Sequence, residues 1–230
     1  MALANLDKTK KINLGDYDYK IVIDKSGSMS TNDTPTRISR WEQAKEWSKA
    51  IAQKCDQYDS DGLDVIIFDS YVTQYKNVTS DKVEKLFREN NPGGSTNTAG
   101  AIELALSDYL KDKGEVKGKS FFGGIFSKST TTVEPTQKPL IIICITDGEP
   151  NSQEDLEKVI VSATKKLSTD SEIGITFIQV GKDSGARKFL KKLDDDLTSR
   201  GAKFDIVDCK DYDEMSNMSI EEVFIQAITD

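Results

Sequence analysis

Tyr19-Lys20-Ile21-Val22-Ile23-Asp24-Lys25-Ser26-Gly27-Ser28 decides how this chain is read. An apolar, β-branched run gives way at Asp24 to one carboxylate and two hydroxyls on alternate residues. That is the pattern of a buried strand running into a loop with chemistry of its own. Two later segments carry matching groups. Gly93-Gly94-Ser95-Thr96-Asn97-Thr98-Ala99 opens a helical pattern, and Ile145-Thr146-Asp147-Gly148-Glu149 closes an almost continuous apolar run over 139–145. A run apolar at nearly every position suits a central strand covered on both faces.

Outward from these segments, short β-branched runs alternate with amphipathic ones. Strands are expected over 17–23, 62–68, 72–76, 139–145, 173–180 and 203–207, the second and third as a hairpin. Helices are expected over 40–57, 80–88, 98–111, 152–167, 185–197 and 220–229, with Ser80 and Ser152 as N-caps. This order predicts an α/β chain with a doubly wound, mostly parallel sheet and helices on both faces. The 230 residues suit a single domain over 17–230, after an N-terminal extension over 1–16. One stretch, about 115–137, is long for a connection from a helix to a strand and reads as an insertion. It holds Phe121, Phe122, Ile125 and Phe126. It reads either as a loop or as a second contact surface, at the end of the sheet away from the three polar segments.

Composition sets limits. With 37% hydrophobic and 30% charged residues and a net charge of −8, the chain has globular composition and lacks the basic excess of a nucleic-acid binder. The three cysteines are far apart and histidine is absent. A disulfide framework is not expected, and a reducing compartment fits. No apolar stretch is long enough to span a bilayer, and the first residues lack a signal-peptide core, so a cytoplasmic location is expected.

In open α/β sheets, ligands gather beyond the carboxyl ends of the strands. Asp24, Ser26, Ser28, Thr96 and Asp147 can all converge there. Their oxygens are hard donors with no imidazole or thiolate among them, which favours Mg²⁺ or Mn²⁺ over Zn²⁺. Ser26 and Ser28 are the expected direct ligands. Asp24 and Asp147 would hold coordinated water or orient hydroxyls, and Thr96 would ligate directly or through water. Gly27 and Gly94 are expected to permit sharp turns and close backbone approach. Lys25 is expected at the rim, where it would screen or steer an incoming carboxylate. Asn97 and Thr98 follow closely, Thr98 as a helix cap or a supporting hydroxyl. Gly148 and Glu149 face either a partner or solvent. No general base or nucleophile is evident.

These residues resemble the metal-ion-dependent adhesion site of the von Willebrand factor A domain family, whose motif runs Asp-x-Ser-x-Ser, then Thr, then Asp. The matching positions are Asp24, Ser26 and Ser28, then Thr96, then Asp147. The resemblance implies a six-stranded, Rossmann-like sheet with a short antiparallel strand at one edge. It also implies a non-catalytic, Mg²⁺-dependent module, with Mn²⁺ or Ca²⁺ as substitutes, whose coordination is completed by an Asp or Glu of a protein partner. The missing signal and paired cysteines make the chain look like intracellular bacterial members of the family. For those, complexes with ATPases or stress-response proteins are the implied setting, with neither nucleic acid nor stable membrane insertion. Two other readings stand beside this one: a metal-dependent phosphoryl-transfer enzyme, and a domain whose metal is mainly structural.

Overall fold

The computed structural model describes residues 12–58, 62–111 and 137–229. Six strands, β1 (Asp18–Asp24), β2 (Leu63–Phe68), β3 (Val72–Val78), β4 (Leu140–Thr146), β5 (Ile173–Gln179) and β6 (Val207–Lys210), form one sheet in the order β3-β2-β1-β4-β5-β6. β3 pairs antiparallel with β2 at one edge, and every other pairing is parallel. The helices are α1 (Arg40–Cys55), α2 (Ser80–Glu89), α3 (Thr98–Lys111), α4 (Gln153–Thr164), α5 (Ser184–Asp196), α6 (Tyr212–Asn217) and α7 (Ile220–Thr229).

The strand pleat divides the core in two. Ile21, Ile23, Ile141, Ile143 and Ile145 face one side, where they pack with Ala44 and Ile51 of α1, Val83 and Phe87 of α2, and Val223 and Phe224 of α7. Val22, Ile142 and Cys144 face the other, among Ile102 and Leu106 of α3, Leu156 and Ile160 of α4, and Phe189 and Leu190 of α5. Successive residues of a strand point to opposite faces, so β1 and β4 must be apolar at almost every position. All seven residues of β4 are buried. Trp41 stacks on Phe87 with ring centroids 4.3 Å apart, and Trp47 lies 5.6 Å from Tyr212, so each tryptophan ties α1 to a neighbouring helix.

Several expected boundaries are corrected. The last strand is Val207–Lys210 rather than 203–207. The amide of Lys203 donates to Thr164 Oγ1 and its ammonium to the Leu167 carbonyl, which draws that residue toward the end of α4 and away from strand pairing. Ser80 is the first residue of α2 and Thr79 the N-cap position. Ser152 does cap α4, accepting from the Asp155 amide. That helix ends at Thr164, short of 167. Helix α6 was not expected. Leu14 is buried in the core, so domain packing reaches into the segment 1–16 read as an extension. The stretch 112–136, which holds Phe121, Phe122, Ile125 and Phe126, lies outside the described residues, so the proposed second contact surface lies outside them too.

Candidate metal centre

The strand order reverses between β1 and β4: the chain moves outward through β2 to β3 on one side and through β5 to β6 on the other. A crevice beyond the carboxyl ends of the strands is expected at such a point. Asp24 ends β1, and Thr146 and Asp147 end and follow β4. The parallel register that sets Ile23 beside Ile145 brings these ends together.

A chain of polar contacts links the two ends. Asp24 is fully buried; its Oδ1 accepts the Ser26 amide at 2.7 Å and its Oδ2 accepts the Thr146 hydroxyl at 2.7 Å. The Ser26 and Ser28 hydroxyls lie 3.0 Å apart, and Ser28 Oγ donates to Asp147 Oδ1 at 2.9 Å. Asp147 is fully buried as well, while Ser28 is open to solvent. Two buried carboxylates therefore flank a pair of hydroxyls, one of them on a solvent-exposed residue.

The Thr96 segment is docked against both loops. The Gly27 amide donates to the Gly94 carbonyl at 3.2 Å, and the Gly93 amide to the Lys25 carbonyl at 2.7 Å. On the other side, the Thr96 amide donates to Asn151 Oδ1 and the Asn151 amide to the Thr96 carbonyl, each at 2.9 Å. Backbone bonds thus place Thr96 between the two loops, while its hydroxyl takes no part in the Asp24–Asp147 chain of contacts. Gly94 has φ +79°, and a Cβ there would sit 3.0 Å from Ser70 Oγ and 3.1 Å from Asp69 Cβ, so the position favours glycine on both counts. Gly27 carries no such demand: a Cβ would meet only the Gly94 carbonyl, at an ordinary 3.8 Å. The close backbone approach expected at Gly27 is present in its amide's bond to Gly94, but the position does not require glycine.

Other expected roles change. Lys25 is not a free rim cation; it is half-buried and ion-paired with Asp69. Asp69 in turn holds the β2–β3 turn by accepting the Tyr71 amide at 2.7 Å. Burial works against ionisation of Asp69, but Lys25 and the Tyr71 amide outweigh it and hold its carboxyl below the usual range. Asn97, rather than Thr98, caps α3, accepting the Gly100 amide at 3.2 Å. Thr98 is 2% exposed, and its buried hydroxyl has no hydrogen-bond partner. Glu149 Oε2 accepts from Gln153 at 2.8 Å, and Gly148 has open space around it.

Sequence reasoning gave no contact to Arg40, Asp33, Thr146, Asp69 or Asn151 in this region, although the polar loop over 29–40 was expected beside it. Arg40 Nη1 donates to Asp147 Oδ2 at 2.7 Å, while Nε and Nη2 fork onto Asp33 Oδ1 and Oδ2 at 2.8 and 2.6 Å. Burial and the facing Asp147 push the Asp24 carboxyl up to about 6, against the opposing pull of the Ser26 and Thr146 donors. Burial also raises Asp147, with Arg40 and Ser28 working against the rise. A site in which burial and like charge strain two carboxylates is one that an added cation stabilises.

The donor chemistry fits a hard divalent ion. Hydroxyls and carboxylates are the groups at hand, and the chain has no histidine. Among the described residues no group of three or more His, Cys, Asp and Glu side chains is placed to hold a metal ion, so a cation here depends on the hydroxyls. Cys144 faces the α3 side of the core, and burial holds its thiol well above the ordinary range, so it is no competing ligand. Mg²⁺ and Mn²⁺ retain water and need few protein oxygens, which suits two hydroxyls supported by two carboxylates.

Comparisons with known proteins agree with this architecture. A family model described as the von Willebrand factor type A domain matches residues 20–149. No curated protein sequence matches the chain. Among solved structures, an aerotolerance-related membrane protein from Bacteroides fragilis superposes with TM-score 0.55 at 19% identity, covering 93% of this chain and 98% of that one. The manganese-loaded TRAP protein of Plasmodium vivax gives TM-score 0.55 at 17% identity, covering 86% of this chain and 70% of that one. The PilB minor pilin of Streptococcus sanguinis gives TM-score 0.55 at 12% identity, over 96% of this chain and 62% of that one. At these identities the likeness is one of fold. The family model spans more than half of the sequence and contains the whole Asp24-to-Asp147 constellation, and the chain therefore belongs to the von Willebrand factor type A domain family.

Proposed function

We propose that this domain is a non-catalytic module that binds a protein partner conditionally on a divalent cation, Mg²⁺ in the first instance. Ser26 and Ser28 would hold the ion directly, with Thr96 beside them. Asp24 and Asp147 would orient the hydroxyls and balance charge from behind. When bound, the ion supplies an electron-poor coordination position that a carboxylate oxygen of the partner can fill. The observation that carries the reading is the continuous contact chain Asp24–Ser26–Ser28–Asp147 at the reversal of strand order, with Ser28 its solvent-exposed member.

The site's own chemistry supports binding over phosphoryl transfer. Both carboxylates are buried and already engaged by donors: Ser26 and Thr146 on Asp24, Ser28 and Arg40 on Asp147. Neither is free to act as a nucleophile or base. A mainly structural metal is less well supported, because hydrogen bonds already join the three loops. No helix among the described residues is long and apolar enough to cross a membrane. A reducing, cytoplasmic setting is the proposed location. An ATPase or stress-response complex remains the proposed class of partner.

Acetate serves as a minimal carboxylate probe. With Mg²⁺ present, acetate should shift the backbone amide resonances of Ser26, Ser28 and Thr96, and without Mg²⁺ it should not. Identical responses in the two conditions would count against metal-conditional recognition of a carboxylate.

A further inference from the structure

Arg40 is the first residue of α1, yet it is 9% exposed. A cation at a helix amino terminus opposes the helix dipole, so local helix energetics does not explain it. Its contacts do. One edge of the guanidinium reaches the fully buried Asp147, and the other forks onto both oxygens of Asp33. The slot is built for it: Gly181 has φ +78°, and a Cβ there would lie 2.4 Å from Arg40 Nε. Asp33 belongs to the long polar loop between β1 and α1. That loop is further pinned by the Arg40 amide on the Thr31 carbonyl and by Thr34 Oγ1 on the Ile38 carbonyl.

We propose that Arg40 is a positioning residue that acts as the resident counter-cation of the candidate metal centre, holding Asp147 oriented before a divalent ion arrives, fastening the Asp33 loop to it, and setting how tightly that ion is held. The proposal rests on the reading of the site given above. Asp24 and Asp147 carry two negative charges and Arg40 returns one. A divalent ion then leaves a surplus of one positive charge, which an incoming carboxylate offsets. Without Arg40 the bare ion would already be balanced, and a partner carboxylate would find no surplus positive charge to offset. Asp33 takes the other two donor contacts of the guanidinium, but its side chain is 34% exposed, so water screens its charge more than that of the fully buried Asp147 and it offsets Arg40 only in part. Arg40 therefore weakens capture of the bare ion and favours capture of ion plus carboxylate.

The test is calorimetric titration of Mg²⁺ at pH 8 into the wild-type chain, Arg40→Gln and Arg40→Lys, with thermal melts with and without Mg²⁺ and amide hydrogen exchange across 29–39. Arg40→Gln should melt lower when metal-free, bind Mg²⁺ three- to ten-fold more tightly (on the order of the factor one nearby charge supplies), and gain a larger Mg²⁺-induced rise in Tm than wild type. Arg40→Lys keeps the charge but not the fork. It should hold the Mg²⁺ Kd within about twofold of wild type while amides of 29–39 exchange faster. A purely structural arginine predicts a lower Tm for Arg40→Gln with equal or weaker Mg²⁺ binding, and that result would overturn the proposal. If Arg40→Gln does not fold, Arg40→Lys decides: unchanged loop exchange, or a Kd altered more than about twofold, contradicts it. A wild-type chain that takes up neither Mg²⁺ nor Mn²⁺ refutes the reading of the site and this inference with it. A wild type that binds while Arg40→Gln binds no tighter refutes the role of Arg40 alone.

Discussion

Thr146, the last residue of β4, donates its hydroxyl to Oδ2 of Asp24, the last residue of β1, at 2.7 Å across the point where the strand order reverses. Both residues are buried, at 1% and 0% exposure. The bond closes the back of the candidate site and fixes the plane of the Asp24 carboxylate, whose other oxygen holds the Ser26 amide. Thr146→Val keeps the side-chain shape and deletes this donor. It should cost about 1–3 kcal/mol in urea unfolding at pH 8, because a buried charged oxygen loses its partner. It should also weaken Mg²⁺ binding, as Asp24 turns more freely. A variant as stable as wild type would show that the bond contributes nothing.

The raised Asp24 carboxyl gives a pH dependence with a definite sign. Its ordinary value of 3.8 is pushed up to about 6 in the fold. Between those values the folded chain binds the proton more tightly than the unfolded chain does. Stability of the metal-free fold should therefore be helped by Asp24 at low pH and lose that help as pH rises toward 6. Mg²⁺ needs the ionised form, so its affinity should fall as pH drops, by up to about tenfold per unit below 6. Calorimetric titrations at pH 5.0, 6.5 and 8.0 measure this. A flat Kd across the series would separate Asp24 from ion binding.

Gly94 links the Thr96 segment to the β2–β3 turn. With φ +79° and Asp69 and Ser70 close by, Gly94→Ala should cost about 1–3 kcal/mol and displace the segment. Mg²⁺ affinity should drop more than in Gly27→Ala, where a Cβ meets ordinary space. Equal effects from the two substitutions would remove the argument for the Gly94 turn as the device that sets Thr96.

On the opposite end of the sheet, Gly174 of β5 lies against α7, and a Cβ there would approach the Ala227 carbonyl oxygen to 2.3 Å. Gly174→Ala should push α7 off the sheet and lower Tm by several degrees, with Mg²⁺ affinity per folded molecule unchanged. A thermal melt paired with a Mg²⁺ titration at low temperature checks both halves. Loss of ion binding in a folded Gly174→Ala chain would show that the two ends are coupled.

The architecture was legible wherever one residue type had to serve two faces. The uninterrupted apolar run of β4 announced a central strand, and β1, ending in Asp24, placed the site beside it. The edge was harder. Val207-Asp208-Cys209-Lys210 has too few apolar residues to stand out as a strand, and 203–207 competed with it. Helix α6 is six residues long and too short to show periodicity, although its capping box, Asp211 with Glu214, was there to be read. Asp24, Ser26, Ser28 and Asp147 were legible because their roles follow from position at strand ends. The contacts of Arg40, Asp33 and Asp69 were not, because each acts through a partner that sequence spacing does not reveal: 107 positions separate Arg40 from Asp147, and 44 separate Lys25 from Asp69. Thr146 stood in plain view beside Asp147, and only the register of β1 against β4 assigns its hydroxyl to Asp24.

Paramagnetic Mn²⁺ titrated into the isotope-labelled chain tests the central claim most directly. Line broadening should centre on the amides of residues 26–28, 94–98 and 146–148 together, and excess Mg²⁺ should reverse it. Broadening centred on surface acids such as Asp170 and Asp195, or broadening that leaves any one of the three loops untouched, would contradict a single cation site shared by Ser26, Ser28, Thr96, Asp24 and Asp147.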